Sequence, residues 1–348
     1  TLVYTGASLS GLIALDDVSL EQTGTGTFTS EHVGTGITVN ITGLTISGSD
    51  AGNYNFTTTA STTADITQKA LSATGITANN KEYNSDTDAT LVYTGAGWDG
   101  LIALDDVSLE QTGTGTFTSE HVGNGITVNI TGLTISGTDA GNYNFTTTAS
   151  TTADITQKAL SATGITANNK EYNSDTDATL VYTGAGWSGF IDGDAVTLEQ
   201  TGTGTFTSEH VGNGITVNIT GLTISGTDAG NYNFTTTAST TADITAKAIT
   251  VTGITASDKV YNSDTDAVIN TDAAALGEEK IAGDDITLVK TGAIGTFASE
   301  HVANGIIVTI TGLELSGTDA GNYSITPPTD TADITQKALS ATGITANN

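Results

Sequence analysis

The sequence predicts an all-β chain of tandem small β-sandwiches, and three observations lead there. The first is repetition. Asp-Ala-Gly-Asn-Tyr starts at Asp50, Asp139, Asp228 and Asp319; Ser-Glu-His-Val starts at Ser30, Ser119, Ser208 and Ser299. Lys-Ala recurs at Lys69, Lys158, Lys247 and Lys337, giving periods of 89, 89 and 90 residues. Self-similarity at a fixed period marks a repeat architecture. The second is the size of the period, which is too long for one coil of a β-helix and suits one sandwich of about 100 residues. The third is the alternation of Val, Ile and Leu with polar residues, broken by turn residues every ~8–12 positions.

Within residues 69–157, Ala70–Ile76 alternates and predicts a first strand, followed by a turn region at Asn79–Asp88. Leu91–Tyr93 and Val107–Glu110 predict the next two strands, and Thr116–Thr118 a short fourth with Phe117 pointing inward. Ile126, Val128 and Ile130 alternate with Thr127 and Asn129; Gly132 bends the chain, and Leu133 and Ile135 continue it. Tyr143–Phe145 and Ala153–Thr156 close the set. The expected core is Leu91, Val107, Leu109, Phe117, Val122, Ile126, Val128, Ile130, Leu133, Ile135, Tyr143, Phe145 and Ile155.

This pattern sets repeats at 1–68, 69–157, 158–246 and 247–336, the first without its first strand, and makes 337–348 the opening strand of a further repeat. The ends fall inside the pattern, as in an excerpt of a longer periodic chain. The alternative is a head-to-tail polymer in which 337–348 completes the first sandwich of the next molecule. Ala153–Thr156 runs into Lys158 with no Gly or Pro between, so stiff joints and an extended rod are expected.

Charge narrows the partners. There are 38 acidic residues against 9 basic ones, all lysine, for a net charge of -29. Such a field repels phosphate backbones, which excludes nucleic acid, and disfavours anionic membrane surfaces. No apolar run approaches the ~18 residues of a membrane span, so this segment is not expected to insert. With no cysteine or methionine, nothing in the chain is vulnerable to an oxidising exterior.

Each repeat holds one histidine, His32, His121, His210 and His301, always between Glu and Val. A Glu-His pair repeated four times without a cysteine or a nucleophile signature predicts a loop contact in preference to a metal ligand or catalytic base, and the chain is expected not to be an enzyme. Asn84-Ser-Asp86-Thr-Asp88 places oxygens at alternate positions, as calcium loops do, and recurs at Asp175/Asp177 and Asp264/Asp266. A second acidic pair is Asp105/Asp106, matched by Asp284/Asp285. Solvated Asx turns or calcium sites that stiffen the chain are both open for these carboxylates. Trp98 and Trp187 sit in a loop that differs between repeats; they either pack over the end of the sandwich or stack on a ligand such as a sugar. Lysines recur at the same strand-edge positions, which raises an internal Lys–Asn bond as a further option.

Asp139-Ala-Gly-Asn-Tyr143-Asn-Phe145 resembles the Asp-x-Gly-x-Tyr-x-Cys signature of immunoglobulin-like sandwiches, with Phe145 where the cysteine would stand. The resemblance implies a tyrosine corner at Tyr54, Tyr143, Tyr232 and Tyr323. Lys247–Ala256, Lys259-Val-Tyr261, Gly283-Asp-Asp285, Gly295-Thr-Phe297, Thr311-Gly-Leu313, Ser316–Tyr323 and Ala332–Thr335 resemble the bacterial YDG/MBG-type immunoglobulin-like repeats of large filamentous-haemagglutinin-like surface adhesins. The likeness covers essentially the whole chain. The family's Tyr-Asp-Gly turn is Tyr-Asn-Ser here, at Tyr83, Tyr172 and Tyr261. The resemblance implies a stalk or fibre segment at the bacterial cell surface. Its partners would be neighbouring repeats, copies of itself, or a host or cell-surface glycan or protein.

Overall fold

One long strand organises every repeat. In the computed structural model, which describes residues 1–346, Gly123–Thr131 pairs antiparallel with Thr114–Phe117 on one side and Ala149–Thr156 on the other. Asp88–Ala89 adds antiparallel to Thr114–Phe117 and Lys81–Glu82 parallel to the end of Ala149–Thr156, completing a five-stranded sheet. Facing it, the opening strand Lys69–Thr74 lies between Gly97–Asp99, antiparallel, and Tyr143–Thr146, parallel. Repeats 3 and 4 reuse this plan, except that the opening strand of repeat 4 is split into Lys247–Ile249 and Val251–Thr252. This is an all-β chain of tandem sandwiches.

Side chains of period 2 fill the space between the sheets. Val128 and Ile130 are buried while Thr127 and Asn129 between them are not. Ile76, Ile130 and Leu133 form one cluster with Leu91, Tyr93, Leu109 and Phe145 around it. Leu71, Ile76 and Tyr83, absent from the core set expected from sequence, are all buried. Leu91, Val107, Leu109, Val122, Ile126, Ile135 and Phe145, which were in it, are only half-buried.

The strand expected over Ala70–Ile76 stops at Thr74, because Gly75 turns left-handed at φ +69°. Beyond it, Thr77–Ala78 joins a different partner, Leu91–Val92. A Cβ on Gly75 would stand 2.2 Å from the carbonyl oxygen of Gly95, so glycine permits two segments to cross there. The region read as a turn, Asn79–Asp88, contains Lys81–Glu82 and the first residue of Asp88–Ala89 as short strands. The closing strand starts earlier than expected, at Ala149.

The chain divides into two compact units, Thr1–Lys158 and Ala159–Asn348. In the first, repeat 1 has no opening strand, and its Tyr54–Thr57 segment forms none. Its Phe28 is 41% exposed, whereas the counterpart Phe117 is 2% exposed. In the second unit, residues 337–346, expected as an opening strand, form no strand. Residues 347 and 348 of the expected strand lie outside the described residues.

Leu15 and Leu104 occupy left-handed backbone, at φ +83° and +77°, with their side chains fully in solvent. Repeats 3 and 4 place Gly193 and Gly283 there, both at φ +103°. A leucine in that conformation costs about 1 kcal/mol. Leu15→Gly and Leu104→Gly should therefore each raise stability by up to about 1 kcal/mol, read as an increase in urea midpoint at unchanged m-value.

Candidate functional site: the joint between repeats

Every repeat builds the same corner. The chain enters a short 3-10 turn, Ala140–Asn142, and leaves it extended at Tyr143. The Tyr143 hydroxyl accepts the Ile102 backbone N–H at 2.9 Å and donates to Asp105 Oδ2 at 2.6 Å. Asp139 Oδ2 accepts the Asp106 N–H, and Asp106 Oδ2 accepts the N–H and hydroxyl of Thr138. The acidic pair thus splits its work, the first carboxylate fixing the tyrosine and the second the turn ahead of it. Tyr54 with Asp16, Tyr232 with Asp194 and Tyr323 with Asp284 repeat the contact.

In the second unit a further tyrosine reaches this corner from the preceding repeat. Tyr172 of repeat 3 donates to the same Asp284 oxygen at 3.0 Å that Tyr323 of repeat 4 reaches at 2.7 Å. The two rings meet edge to face at 5.6 Å. One apolar cluster runs across the boundary, joining Tyr172, Phe206, Val217 and Ile244 of repeat 3 to Ile249, Ile286 and Tyr323 of repeat 4. Repeats 3 and 4 therefore share core. The sequence reading missed Tyr172 and its counterparts Tyr83 and Tyr261. Their signal was an aromatic kept at one position of an otherwise polar turn in three repeats.

A second latch uses the histidine loop. Asn322 Oδ1 accepts the Val211 N–H at 3.0 Å, so its amide nitrogen can only donate. That nitrogen lies 3.1 Å from His210 Nδ1, which accepts its hydrogen. Lys247 pairs with Glu171 at 3.2 Å on the same boundary. The first unit repeats the latch between repeats 1 and 2: Asn142 takes the Val33 N–H at 3.0 Å and donates to His32 Nδ1 at 3.2 Å. Gln68 adds a bond to the Gly141 carbonyl at 3.1 Å.

The YDG domain family matches residues 1–63, 67–152, 156–241 and 245–332. The chain belongs to the YDG domain family. No curated protein matches it. Among solved structures it is similar to the three N-terminal domains of the Highly Immunogenic Outer Capsid protein of bacteriophage RB49, at 9% identity and a TM-score of 0.23, over 93% of this chain and 99% of that one. It is also similar to domains 1–6 of the surface layer protein SbsC, at 14% identity and a TM-score of 0.18, over 88% of this chain and 45% of that one.

The turns of these YDG repeats that sequence left open to calcium are held by lysine. Lys81 Nζ lies 2.6 Å from Asp86 Oδ1 and 2.7 Å from the Asp86 carbonyl, over the Phe117 ring at 5.3 Å. Lys170 and Lys259 repeat this with Asp175 and Asp264, adding the carbonyls of Asp177 and Asp266 at 3.2 and 2.9 Å. The ammonium thus binds one carboxylate and the backbone carbonyls of each turn, and it holds Asp86, Asp175 and Asp264 below the usual carboxylate range. Ser85, where the family's turn has glycine, takes φ +61°. Asp105, Asp106, Asp284 and Asp285 serve the tyrosine corners instead. Among the described residues, no three His, Asp or Glu side chains converge as a metal site.

Trp98 stands on the strand beside the opening strand, opposite Ala73, and packs edge-on against Phe145 at 6.1 Å. Trp187 packs against Phe234 in the same way and stacks on Phe190. Both indoles are half-buried.

The corner phenols are held neutral. Burial, followed by the Asp284 hydrogen bond, pushes Tyr323 up to about 12, and burial likewise raises Tyr143 and Tyr172; at Tyr54 the bond to Asp16 is the main cause. An unfolded tyrosine titrates near pH 10. The neutral phenol therefore contributes stability that is complete below pH 10 and lost as pH rises through the folded value. A spectrophotometric titration near 295 nm should show the corner tyrosines ionising above about pH 10 together with unfolding. A single smooth transition at pH 10 with the fold intact would contradict this.

Proposed function

We propose that this chain is a structural segment of an extracellular bacterial surface fibre or adhesin stalk, in which YDG repeats join end to end to set length. The observation that carries this reading is that the joint is written into the repeat. Each copy brings a His-Val loop and a 3-10 turn with its Asn, Tyr and Asp, and the boundaries of repeats 1 with 2 and 3 with 4 are latched by the same parts. Stability then approximates a sum of repeat and interface contributions. The acidic surface and the absence of thiols suit an exposed location. Lysine in the turns does the stiffening that a divalent ion would otherwise supply, and a chelator is expected to leave the melting temperature unchanged.

Force spectroscopy on the full chain tests the mechanical part. Complete repeats should give discrete unfolding events, each releasing roughly 300 Å of contour. A featureless extension curve would end the reading. Surface labelling and protease shaving of producing cells test the location, and protection of the repeats inside intact cells would refute it.

A further inference from the structure

In three of the four repeats the long strand opens on Asn-Gly, at Asn124-Gly125, Asn213-Gly214 and Asn304-Gly305; repeat 1 has Thr35-Gly36 there. The pairing register jumps between Gly123 and Ile126, so Asn124 and Gly125 stand out of the ladder as a bulge. Both residues are exposed, Gly125 is left-handed at φ +61°, and nothing lies within 4 Å of where its Cβ would stand. The Gly125 N–H donates to a carboxylate in place of a carbonyl, reaching Asp154 Oδ1 at 2.7 Å. Gly214 and Gly305 donate to Asp243 and Asp333 in the same way, at 2.8 and 2.7 Å. The carboxylate is aimed from behind. Asn80 donates to Asp154 Oδ2 at 3.2 Å and accepts the Asp154 N–H at 2.8 Å, which leaves Oδ1 facing the glycine.

We infer that Asn124, Asn213 and Asn304 are self-modification sites, at which the chain converts its own asparagine to aspartate or isoaspartate. The Gly125 nitrogen attacks the side-chain carbonyl carbon of Asn124, and Asp154 takes the N–H proton as general base. A C–N bond forms to the glycine nitrogen and the C–N bond to the side-chain amide breaks. The proton passes to the departing amide, which leaves as ammonia, and the ring that remains is a succinimide. Water is the only co-reactant: it opens the ring at one carbonyl to give aspartate, at the other to give isoaspartate. Glycine lets the ring close, since it has no side chain to crowd the approach of its nitrogen. Each event adds a negative charge beside Asp154. Isoaspartate also lengthens the backbone by one atom, where the histidine loop joins the long strand.

Peptide mapping of the full chain during incubation at neutral pH tests this, with released ammonia measured alongside. The expected result is loss of Asn124, Asn213 and Asn304 with matching ammonia. Asn129, exposed on the same strand but followed by Ile130, should persist. The folded chain should react roughly 100-fold faster than the same chain in guanidinium, the lower end of what a positioned base contributes. Asp154→Asn should bring Asn124 down to the unfolded rate. In that variant Asn213, whose Asp243 is intact, should keep its own rate and so report that repeat 3 is folded. Thr35→Asn should add a reacting site to repeat 1, because Asp65 already accepts the Gly36 N–H at 2.8 Å. Sites that persist, sites that react no faster folded than unfolded, or an unchanged Asn124 rate in Asp154→Asn would each overturn the inference.

Discussion

Asp284→Ala is expected to cost about 3–5 kcal/mol and to lower the stability of repeats 3 and 4 together. One carboxylate oxygen accepts hydroxyls from two buried tyrosines, at 2.7 and 3.0 Å, one from each repeat. Alanine leaves both phenols without that acceptor, and an unmade bond at a buried polar group costs about 1–3 kcal/mol. Trp187 reports on repeat 3 while the substitution lies in repeat 4. In a Trp98→Phe background it is the sole tryptophan, so a shift of its unfolding transition shows that the joint couples the two. Asp284→Asn, which keeps an acceptor oxygen, should recover much of the loss. Asp105→Ala removes the acceptor of Tyr143 and should cost about half as much. If the Trp187 transition stays where it is in Asp284→Ala, the shared corner does not couple the repeats.

Gly137→Ala should be nearly as damaging, for a different reason. Gly137 sits at φ +114°, and a Cβ there would lie 2.1 Å from the carbonyl oxygen of Asp106. Neither atom is the end of a flexible side chain, so backbone must move, and the turn that aims Tyr143 at Asp105 moves with it. A loss of about 3–5 kcal/mol is expected. Gly125→Ala is the comparison: φ is also positive, +61°, but nothing lies within 4 Å of the new Cβ. That variant should lose only about 1 kcal/mol, the cost of left-handed backbone alone. Urea denaturation of both variants separates the two effects, and equal losses would show that the close approach is not what makes Gly137 necessary.

Strong local patterns were legible in the sequence, and groups joined over long distances were not. The alternation at Ile126, Val128 and Ile130 placed the long strand because a two-residue period dictates which side chains face inward. The histidine loop was read as a contact, but its partner, Asn142 for His32, is 110 residues away, and no local spacing encodes such a pair. The Asn84–Asp88 run left its carboxylates open to a cation, and Lys81, only five residues from Asp86, lies 2.6 Å from Asp86 Oδ1. Proximity in sequence did not reveal it, because the lysine reaches the turn by lying across the Phe117 ring.

The sequence alone determined that the chain is all-β and that it repeats four times at a period near 90 residues. These follow from periodicity and turn chemistry, which act between near neighbours. Only the tertiary structure decided that Tyr172 belongs to the next repeat's corner and that one apolar cluster crosses a repeat boundary. Burial is a property of the packed assembly, so the identity of a side chain's neighbours exists only once the sheets have closed on one another.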